Sequence, residues 1–250
     1  MLQAKTALIT GASSGIGAAM AEKLAASGVK VILVARRMGR LDELAKKIQA
    51  EYHTPVFVAE VDVRQAEAIP ALLHGLPKLF REIDILVNSA GLAVGLDPIC
   101  EANLADWDQM IDTNLKGLIY TTRAILPLMQ ARNSGHIINV SSLAGHRAYA
   151  GGSVYCATKA AVTSFTRALK LECQEKNIRI TDIAPGMVET EFSQVRFKGD
   201  ADKAQKVYAN FTPLSAAEVA DAMHYALTRP AHVNIAEMVI VAKDQAMQLV

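Results

Sequence analysis

Seven short runs of β-branched and aliphatic residues alternate with segments of helical periodicity along this chain of 250 residues. The runs lie near residues 7–9, 29–34, 56–61, 83–87, 136–140, 179–183 and 238–241. Such alternation is typical of a parallel sheet with helices on both faces, because consecutive parallel strands are joined by a crossover helix. The sequence therefore predicts an α/β fold with a seven-stranded parallel sheet, in a single domain over residues 1–250.

Charge and hydropathy argue against several classes of function. The chain has 26 Lys and Arg against 25 Asp and Glu, which leaves no excess positive charge for a nucleic-acid partner. The uncharged stretch at residues 6–21 is rich in Gly, Ser and Ala and falls short of the ~20 apolar residues of a membrane helix. Residues 1–10 lack the basic and apolar regions of a signal peptide. We therefore expect a cytoplasmic protein without nucleic-acid or membrane partners, and no His or Cys spacing predicts a metal site.

A glycine-rich turn, TGASSGIG at residues 10–17, joins the first predicted strand to the first predicted helix. Glycines at such a turn let the backbone approach a pyrophosphate, whose charge then lies at the N-terminus of the helix. The predicted contacts are Gly11, Ser13, Ser14, Gly15, Ile16 and Gly17. The turn therefore predicts a Rossmann-type dinucleotide-binding domain.

The end of the second strand indicates which dinucleotide binds. NAD-binding folds place an acidic residue there for the ribose 2′-hydroxyl, whereas this chain has Ala35 followed by Arg36 and Arg37. A guanidinium binds a phosphate through two parallel hydrogen bonds. The sequence therefore predicts NADP as the cofactor. Asp62, after the third strand, is the expected partner of the adenine amino group.

Tyr155 and Lys159 lie four residues apart in a predicted helix over residues 153–176, so they share one face. An ammonium about 4 Å from the phenol, at an effective dielectric of ~20, contributes roughly 4 kcal/mol, or about 3 pKa units. The pair therefore predicts a tyrosine whose pKa lies near neutrality, where a general acid or base works best.

Together, the glycine turn and the Tyr-Lys pair make the sequence resemble the short-chain dehydrogenase/reductase family over nearly its whole length. Further shared markers are Asp62-Val63, Asn88-Ser89-Ala90-Gly91, Asn114, Ser142, and Pro185-Gly186 with Thr190. The resemblance implies an oxidoreductase in which Tyr155 is the acid/base, Ser142 holds the carbonyl oxygen and Lys159 binds the nicotinamide ribose. It also implies that Asn114 supports a proton-relay water. Residues expected along the cofactor are Val63, Asn88, Ala90, Gly91, Pro185, Gly186, Val188 and Thr190. Ser89 departs from the usual Asn, which puts one structural hydrogen bond in doubt.

Further motifs narrow the resemblance to NADP-dependent 3-hydroxy acid dehydrogenases and to reductases of small anionic aldehydes such as sulfoacetaldehyde. These motifs lie at residues 106–107, 110–114, 191–193, 195–200 and 230–233. The resemblance implies a small carbonyl or alcohol substrate. It also implies a homotetramer built partly through the helices that carry Asn114 and Tyr155.

Between residues 187 and 213 no periodicity is visible, and an irregular stretch of this length in a compact domain is usually a lid or a binding segment. A substrate anion near the reacting carbon must be neutralised when water leaves the site, and a guanidinium does this with directional hydrogen bonds. Arg196 is the first candidate for this role and Arg147 the second. Phe192 would supply an apolar wall, and Ser142 and Tyr155 would contact the reacting group.

Two other functions stay open at this point. A 3-oxoacyl-carrier-protein reductase would share every catalytic motif but would need a basic docking patch at the mouth of the site. The segment after Gly186 contains several acidic residues besides Arg196, Lys198, Lys203 and Lys206. The sequence therefore does not decide whether such a basic patch is present. A non-catalytic NADP-binding sensor normally lacks the tyrosine or the lysine, and this chain has both.

Overall fold

The computed structural model describes residues 2–209 and 211–245. Its main sheet has seven parallel strands in the spatial order β3-β2-β1-β4-β5-β6-β9. These strands are β1 (Thr6–Thr10), β2 (Lys30–Ala35), β3 (Val56–Glu60), β4 (Ile85–Asn88), β5 (Gly135–Val140), β6 (Ile178–Pro185) and β9 (Glu237–Ile240). The predicted α/β fold with a seven-stranded parallel sheet is confirmed. Two further strands, β7 (Val188–Glu189) and β8 (Leu214–Ser215), form a small parallel pair.

Helices connect the strands and cover both faces of the sheet. They are α1 (Gly15–Ala26), α2 (Met38–Tyr52), α3 (Ala68–Gly75), α4 (Leu104–Ile111), α5 (Gly117–Ala131), α6 (Ser153–Glu172), α7 (Phe192–Arg196), α8 (Ala201–Lys206) and α9 (Ala216–Thr228). Ser215 followed three residues later by Glu218 predicts a helix that begins with a capping box, and the structure confirms this at the start of α9.

Alternate residues of the strands pack into two separate cores. On one face, Ile9 and Leu33 pack with the buried sides of α1, α2 and α9. On the other, Leu8 and Ile32 pack with α3, α5 and α6. Because both faces are covered, the central strands are buried on both sides, and all five residues of β1 are buried.

The order of the strands fixes where a ligand can bind. The chain runs outward from β1 to β3 and then returns to place β4 on the other side of β1. At this reversal the loops after β1 and β4 leave in opposite directions and open a crevice at the carboxyl ends of the strands. Thr10 and Asn88 are the last residues of these two strands.

Two local expectations need correction. The Leu-rich pattern at residues 65–80 predicts a helix, although Pro70, Gly75 and Pro77 interrupt it. The structure has only α3 and a 3₁₀ turn at Lys78–Phe80 there, because Leu76 precedes Pro77 and adopts extended backbone angles. The segment at residues 187–213, expected to be irregular, contains β7, α7 and α8. Helices of five and six residues are too short to show an apolar period.

Candidate active site

A cleft of about 310 Å³ opens at the carboxyl edge of the sheet. Its walls come from the glycine turn after β1, the ends of β2 and β3, the loops after β4, β5 and β6, and the start of α7. Most of the predicted cofactor residues line it: Gly11, Ser13, Ser14, Gly15, Ile16, Arg36, Arg37, Asp62, Val63, Ala90, Gly91, Tyr155, Lys159, Pro185, Gly186, Val188 and Thr190. Ser142 and Phe192 line it as well. Gly17, Asn88, Asn114, Arg147 and Arg196 lie outside this lining.

The glycine turn is packed so tightly that side chains are excluded at two positions. Gly11 has a φ of +67°, and a Cβ there would lie 2.8 Å from the backbone of Ala90. A Cβ on Gly17 would lie 2.5 Å from the carbonyl oxygen of Gly11. Gly17 therefore shapes the turn from behind rather than facing the cleft. The hydroxyl of Ser14 accepts from Arg37 at 2.7 Å, so it does not cap α1, and the start of that helix faces the cleft.

The end of β2 places two arginines in different surroundings. Arg37 donates to the hydroxyls of Ser13 and Ser14 and to a carboxylate oxygen of Glu191. Arg36 lines the cleft beside Asp62 and makes no side-chain hydrogen bond within the described chain. Asp62 is held by Arg64, whose hydrogen bonds lower the pKa of this carboxyl. Arg36 is therefore the more available cation for a phosphate.

The loop after β4 is fixed from below by hydrogen bonds. The hydroxyl of Thr10 accepts from the backbone N–H groups of Ser89 and Ala90, both at 3.1 Å. Asn88 is buried and donates to Thr122 and Asn139, both at 2.9 Å. Asn88 thus supports the floor of the cleft rather than lining it.

The predicted catalytic pair is buried at the base of the cleft. Tyr155 and Lys159 lie one turn apart on α6, with exposures of 8% and 6%. The Lys159 ammonium donates to the carbonyl oxygen of Val140 at 2.9 Å and lies 6.0 Å from the centre of the Tyr155 ring. Ser142, in the loop after β5, accepts from the backbone of Ala144 at 3.1 Å. The structure therefore brings Ser142, Tyr155 and Lys159 to one end of the cleft.

The expected near-neutral tyrosine is wrong for this arrangement. Burial raises the pKa of Tyr155 to about 12, although the neighbouring Ser142 hydroxyl and the charge of Arg196 act in the opposite direction. The sequence argument placed the ammonium about 4 Å from the phenol, whereas Lys159 is drawn toward the end of β5 by Val140. At neutral pH the Tyr155 hydroxyl therefore keeps its proton.

Burial also disfavours the charged form of Lys159 and lowers its pKa from 10.5 to about 8, while the charge of Asp182 acts in the opposite direction. At pH 7 the folded protein thus holds an ammonium that costs about 3 kcal/mol relative to the unfolded chain. Lys159→Met should remove this cost but leave Val140 without its donor, for a net gain of about 1–2 kcal/mol in unfolding free energy.

The size of this gain depends on pH. Below about pH 8 the lysine is charged in both states and the cost is complete, whereas above pH 10.5 it is neutral in both. Urea denaturation should therefore show Lys159→Met to be more stable at pH 7, with the advantage fading between pH 8 and 10.5. Lys176→Met, on the exposed surface, is the control. A less stable Lys159→Met at pH 7 would contradict the burial argument.

Asn114 lies in a π-helical turn, Asp112–Lys116, between α4 and α5. Its side chain accepts from the backbone N–H of Leu92 and donates to the carbonyl of the same residue, both at 2.8 Å. A Cβ on Gly91 would lie 3.3 Å from the Asn114 oxygen and 3.4 Å from the Lys159 nitrogen. Asn114 therefore fixes the loop after β4 directly behind Lys159. Its role toward a proton-relay water stays a prediction.

Of the predicted substrate residues, Phe192 lines the cleft and Arg196 packs against the Tyr155 and Phe192 rings from outside that lining. Arg196, at the end of α7, lies with its guanidinium carbon 5.0 Å from the centre of the Tyr155 ring and 5.3 Å from that of Phe192. It donates to the hydroxyl of Tyr149 at 2.6 Å, and its Nε is buried with no hydrogen-bond partner in the described chain. Arg147 is exposed. The structure thus brings Arg196, but not Arg147, to the tyrosine.

Sequence analysis missed several residues that line the cleft. These are Val34, Val61, Leu92, Thr113, Val140, Ser141, Glu191 and Val195. Four of them, Val34, Val61, Val140 and Ser141, lie at the end of a strand or directly after it, so their position beside the predicted strands was a usable signal. Glu191 has no such signal, because its neighbours in the cleft come from distant parts of the chain.

Over residues 2–209 and 211–245, no three His, Cys, Asp or Glu side chains are grouped as a metal site requires. None of the helices in those ranges combines the length and the apolar character of a membrane span.

Comparison with known proteins gives concordant matches. The model of the short chain dehydrogenase family matches residues 5–201. An NADP-dependent 3-hydroxy acid dehydrogenase from Schizosaccharomyces pombe is 46% identical over 245 residues, covering 98% of this chain and 95% of that protein. Sulfoacetaldehyde reductase 2 from Chromohalobacter salexigens is 43% identical over 240 residues, covering 96% of this chain and 94% of that protein.

A solved structure is similar over almost the same length. The closed form of a serine dehydrogenase complexed with NADP⁺ superposes with a TM-score of 0.94 at 46% identity, covering 98% of each chain.

Proposed function

The chain belongs to the short chain dehydrogenase family, and we propose that it is an NADP-dependent oxidoreductase that interconverts a small anionic carbonyl compound and the corresponding hydroxy compound. The observation that carries this proposal is the burial of Tyr155 and Lys159 together at the base of the cleft, beside Ser142. The relatives named as a 3-hydroxy acid dehydrogenase and a sulfoacetaldehyde reductase support the substrate class.

The cleft has the chemistry that NADP requires. The glycine turn gives backbone donors and close approach for the pyrophosphate. Arg36 is available to the 2′-phosphate, and Asp62 and Val63 line the adenine side. Ala90, Gly91, Pro185, Gly186, Val188 and Thr190 line the remainder toward Tyr155. When bound, the nicotinamide supplies or accepts the hydride.

The residues of the chain then account for the proton and for orientation. In the direction of reduction, the Tyr155 hydroxyl gives its proton to the substrate oxygen. A phenol with a pKa of about 12 is protonated at neutral pH, as a proton donor must be. Ser142 holds the same oxygen by a hydrogen bond. The positive charges of Lys159 and Arg196 favour the phenolate left behind, because charges act strongly in a cleft that excludes water.

Arg196 supports the proposal that the substrate is anionic. Its guanidinium lies over the Tyr155 ring and keeps a buried, unpartnered N–H within the described structure. A buried donor without a partner costs free energy, and a carboxylate or sulfonate two or three bonds from the reacting carbon would satisfy it. Phe192 packs against Tyr155 with ring centres 5.6 Å apart and closes the apolar side.

Arg196→Ala should lower kcat/KM for sulfoacetaldehyde by roughly 1.5–3 kcal/mol, or ~10- to 100-fold, because the anion loses a charged hydrogen bond. The loss should be far smaller for 3,3-dimethylbutanal, in which an uncharged group of similar shape replaces the sulfonate. Arg147→Ala is the matched comparison. Equal losses on both aldehydes would show a general disturbance of α7, and a larger loss in Arg147→Ala would move the anion site to that residue.

The carrier-protein alternative has less support. Lys198 pairs with Asp106 at 2.8 Å and Lys203 with Asp200 at 3.3 Å, so much of the positive charge near the mouth is already neutralised. An acidic carrier protein would need that charge free. The sensor alternative is disfavoured because both Tyr155 and Lys159 lie in the cleft.

Assembly and location remain predictions. A homotetramer agrees with exposed apolar side chains on α4 and α5, such as Leu104 at 67% and Leu128 at 37% exposure, and with the exposed Ala157 and Ala160 on α6. Leu118 on α5 is buried within the protomer, so it does not contribute to such a contact surface. A monomeric mass by light scattering would reject the tetramer. The cytoplasmic location rests on the sequence alone.

A further inference from the structure

Glu191, Arg37 and Arg40 form an ion-pair cluster beside the cleft, apart from the proposed catalytic residue Tyr155. The carboxylate of Glu191 accepts from Arg37 at 2.9 Å through one oxygen and from Arg40 through the other. Arg37 follows β2, Arg40 lies on α2, and Glu191 directly precedes α7. The cluster therefore joins the predicted 2′-phosphate side of the cleft to the segment that carries the predicted substrate residues.

Glu191 anchors the start of α7, while Ser193 and Arg196 anchor the helix further along through Tyr208 and Tyr149. Glu191 holds the start of this helix through the arginines. The far end is held by a hydrogen bond from the Gly95 N–H to the Arg196 carbonyl at 2.8 Å and by the pair of Lys198 with Asp106. Phe192 directly follows Glu191 and Arg196 lies one turn further along, so the cluster contributes to the placement of both beside their own contacts with Tyr155 and Tyr149.

The Glu191 carboxylate also occupies hydrogen-bond donors of Arg37 and Arg40 that could otherwise bind a phosphate. The Nε and Nη2 of Arg37 already donate to Ser13 and Ser14, and its Nη1 donates to Glu191. Arg40 also points one nitrogen at Glu191. A 2′-phosphate at Arg36 would lie beside this cluster, where Glu191 repels it and competes for Arg37 and Arg40.

We propose that Glu191 is a positioning residue that orders α7 for the substrate at the expense of NADP affinity. This inference rests on the proposed function, since it needs NADP and a substrate in the same cleft. Removing the charge of Glu191 should therefore strengthen the binding of NADPH and weaken that of the substrate. A residue needed only for folding would weaken the binding of both when it is changed.

The test is Glu191→Gln, which keeps the shape and removes the charge. The dissociation constant of NADPH, followed by its fluorescence, should fall by about 2- to 5-fold, the range for partly exposed charge pairs. That of NADH, which has no 2′-phosphate, should stay within 1.5-fold. The KM for sulfoacetaldehyde should rise by about 3- to 10-fold with kcat within twofold, because α7 is less ordered before the substrate binds.

Two comparison variants separate the loss of a negative charge near the cleft from the loss of the ion-pair cluster. Glu189→Gln removes the same charge two residues away, from an exposed side chain that forms no ion pair within the described residues. This variant should change neither the dissociation constant of NADPH nor the KM for sulfoacetaldehyde. Arg40→Gln breaks the cluster from the other side and should raise the KM without tightening NADPH. In the double variant of Glu191 and Arg40, the rise in KM should not exceed that of the more affected single variant.

The outcomes distinguish a failure of the proposed role of Glu191 from a failure of the proposed oxidoreductase function. If the unmodified protein does not bind NADPH, the proposed function and this inference both fail. If it binds NADPH but Glu191→Gln weakens NADPH, or alters NADPH and NADH alike, only the role of Glu191 is overturned. An unchanged KM would overturn it as well. The two cofactor titrations require no substrate, so they stand even if sulfoacetaldehyde is not turned over.

Discussion

Tyr155→Phe is expected to lower kcat by about 10²- to 10⁴-fold, the usual contribution of a positioned proton donor. The variant removes the only atom that gives a proton to the substrate oxygen in our account. It keeps the ring that packs between Phe192 and Arg196. NADPH affinity should therefore stay within about twofold, and the loss should appear in single-turnover measurements of the chemical step.

A matched change elsewhere controls for the loss of a phenol. Tyr225 lies on α9, is 48% exposed and stacks with Arg229, 3.9 Å from its ring centre. Tyr225→Phe should keep full activity. If Tyr155→Phe retained more than about a tenth of the original kcat, another group would have to be the acid, because so small a loss falls below the usual range.

The second large effect concerns the choice of cofactor. The double change of Ala35→Asp and Arg36→Ser should lower the ratio of kcat/KM for NADPH over NADH by about 100-fold or more. Losing a charged hydrogen bond to the 2′-phosphate accounts for roughly 1.5–3 kcal/mol. The new carboxylate adds repulsion of the phosphate and a partner for the ribose hydroxyl of NADH. Steady-state rates with both cofactors measure the ratio directly.

The structure also ranks the two arginines for this test. Arg36→Ser alone should reduce use of NADPH with little change in NADH. Arg37→Ser should affect both cofactors, because Arg37 holds Ser13 and Ser14 of the glycine turn. Equal kcat/KM values for NADPH and NADH in the unmodified protein would contradict the assignment of the cofactor.

Most of the sheet could be predicted because each strand contains several β-branched or aliphatic residues within a short run, separated from the next run by a helical segment. The limits of β1 to β6 and β9 fall within two residues of the predictions. The helical pattern failed where proline and glycine interrupt it, at residues 65–80, and where helices are shorter than two apolar periods, at α7 and α8. Local sequence patterns carry little information about such short elements.

Only part of the candidate site, like only part of the fold, could be predicted from the sequence. Residues at strand ends, such as Gly11, Arg36 and Ser142, follow from sequence because parallel strands bring their carboxyl ends together. The ion pairs of Glu191 join residues that lie about 150 positions apart, and no local pattern predicts them. The pKa of Tyr155 was misjudged because sequence spacing gives neither the depth of burial nor the preference of Lys159 for the carbonyl of Val140.

The central claim is tested most directly by the absorbance of reduced nicotinamide when the purified protein is mixed with NADPH and sulfoacetaldehyde. The account predicts rapid loss of absorbance that is much slower with NADH, with 3,3-dimethylbutanal or with acetoacetyl-CoA, an acyl thioester. It also predicts the reverse change when NADP⁺ is mixed with a small 3-hydroxy acid such as serine. No absorbance change with any carbonyl compound, despite normal binding of NADPH, would contradict an enzymatic role. Fastest turnover of the thioester would favour the carrier-protein function instead.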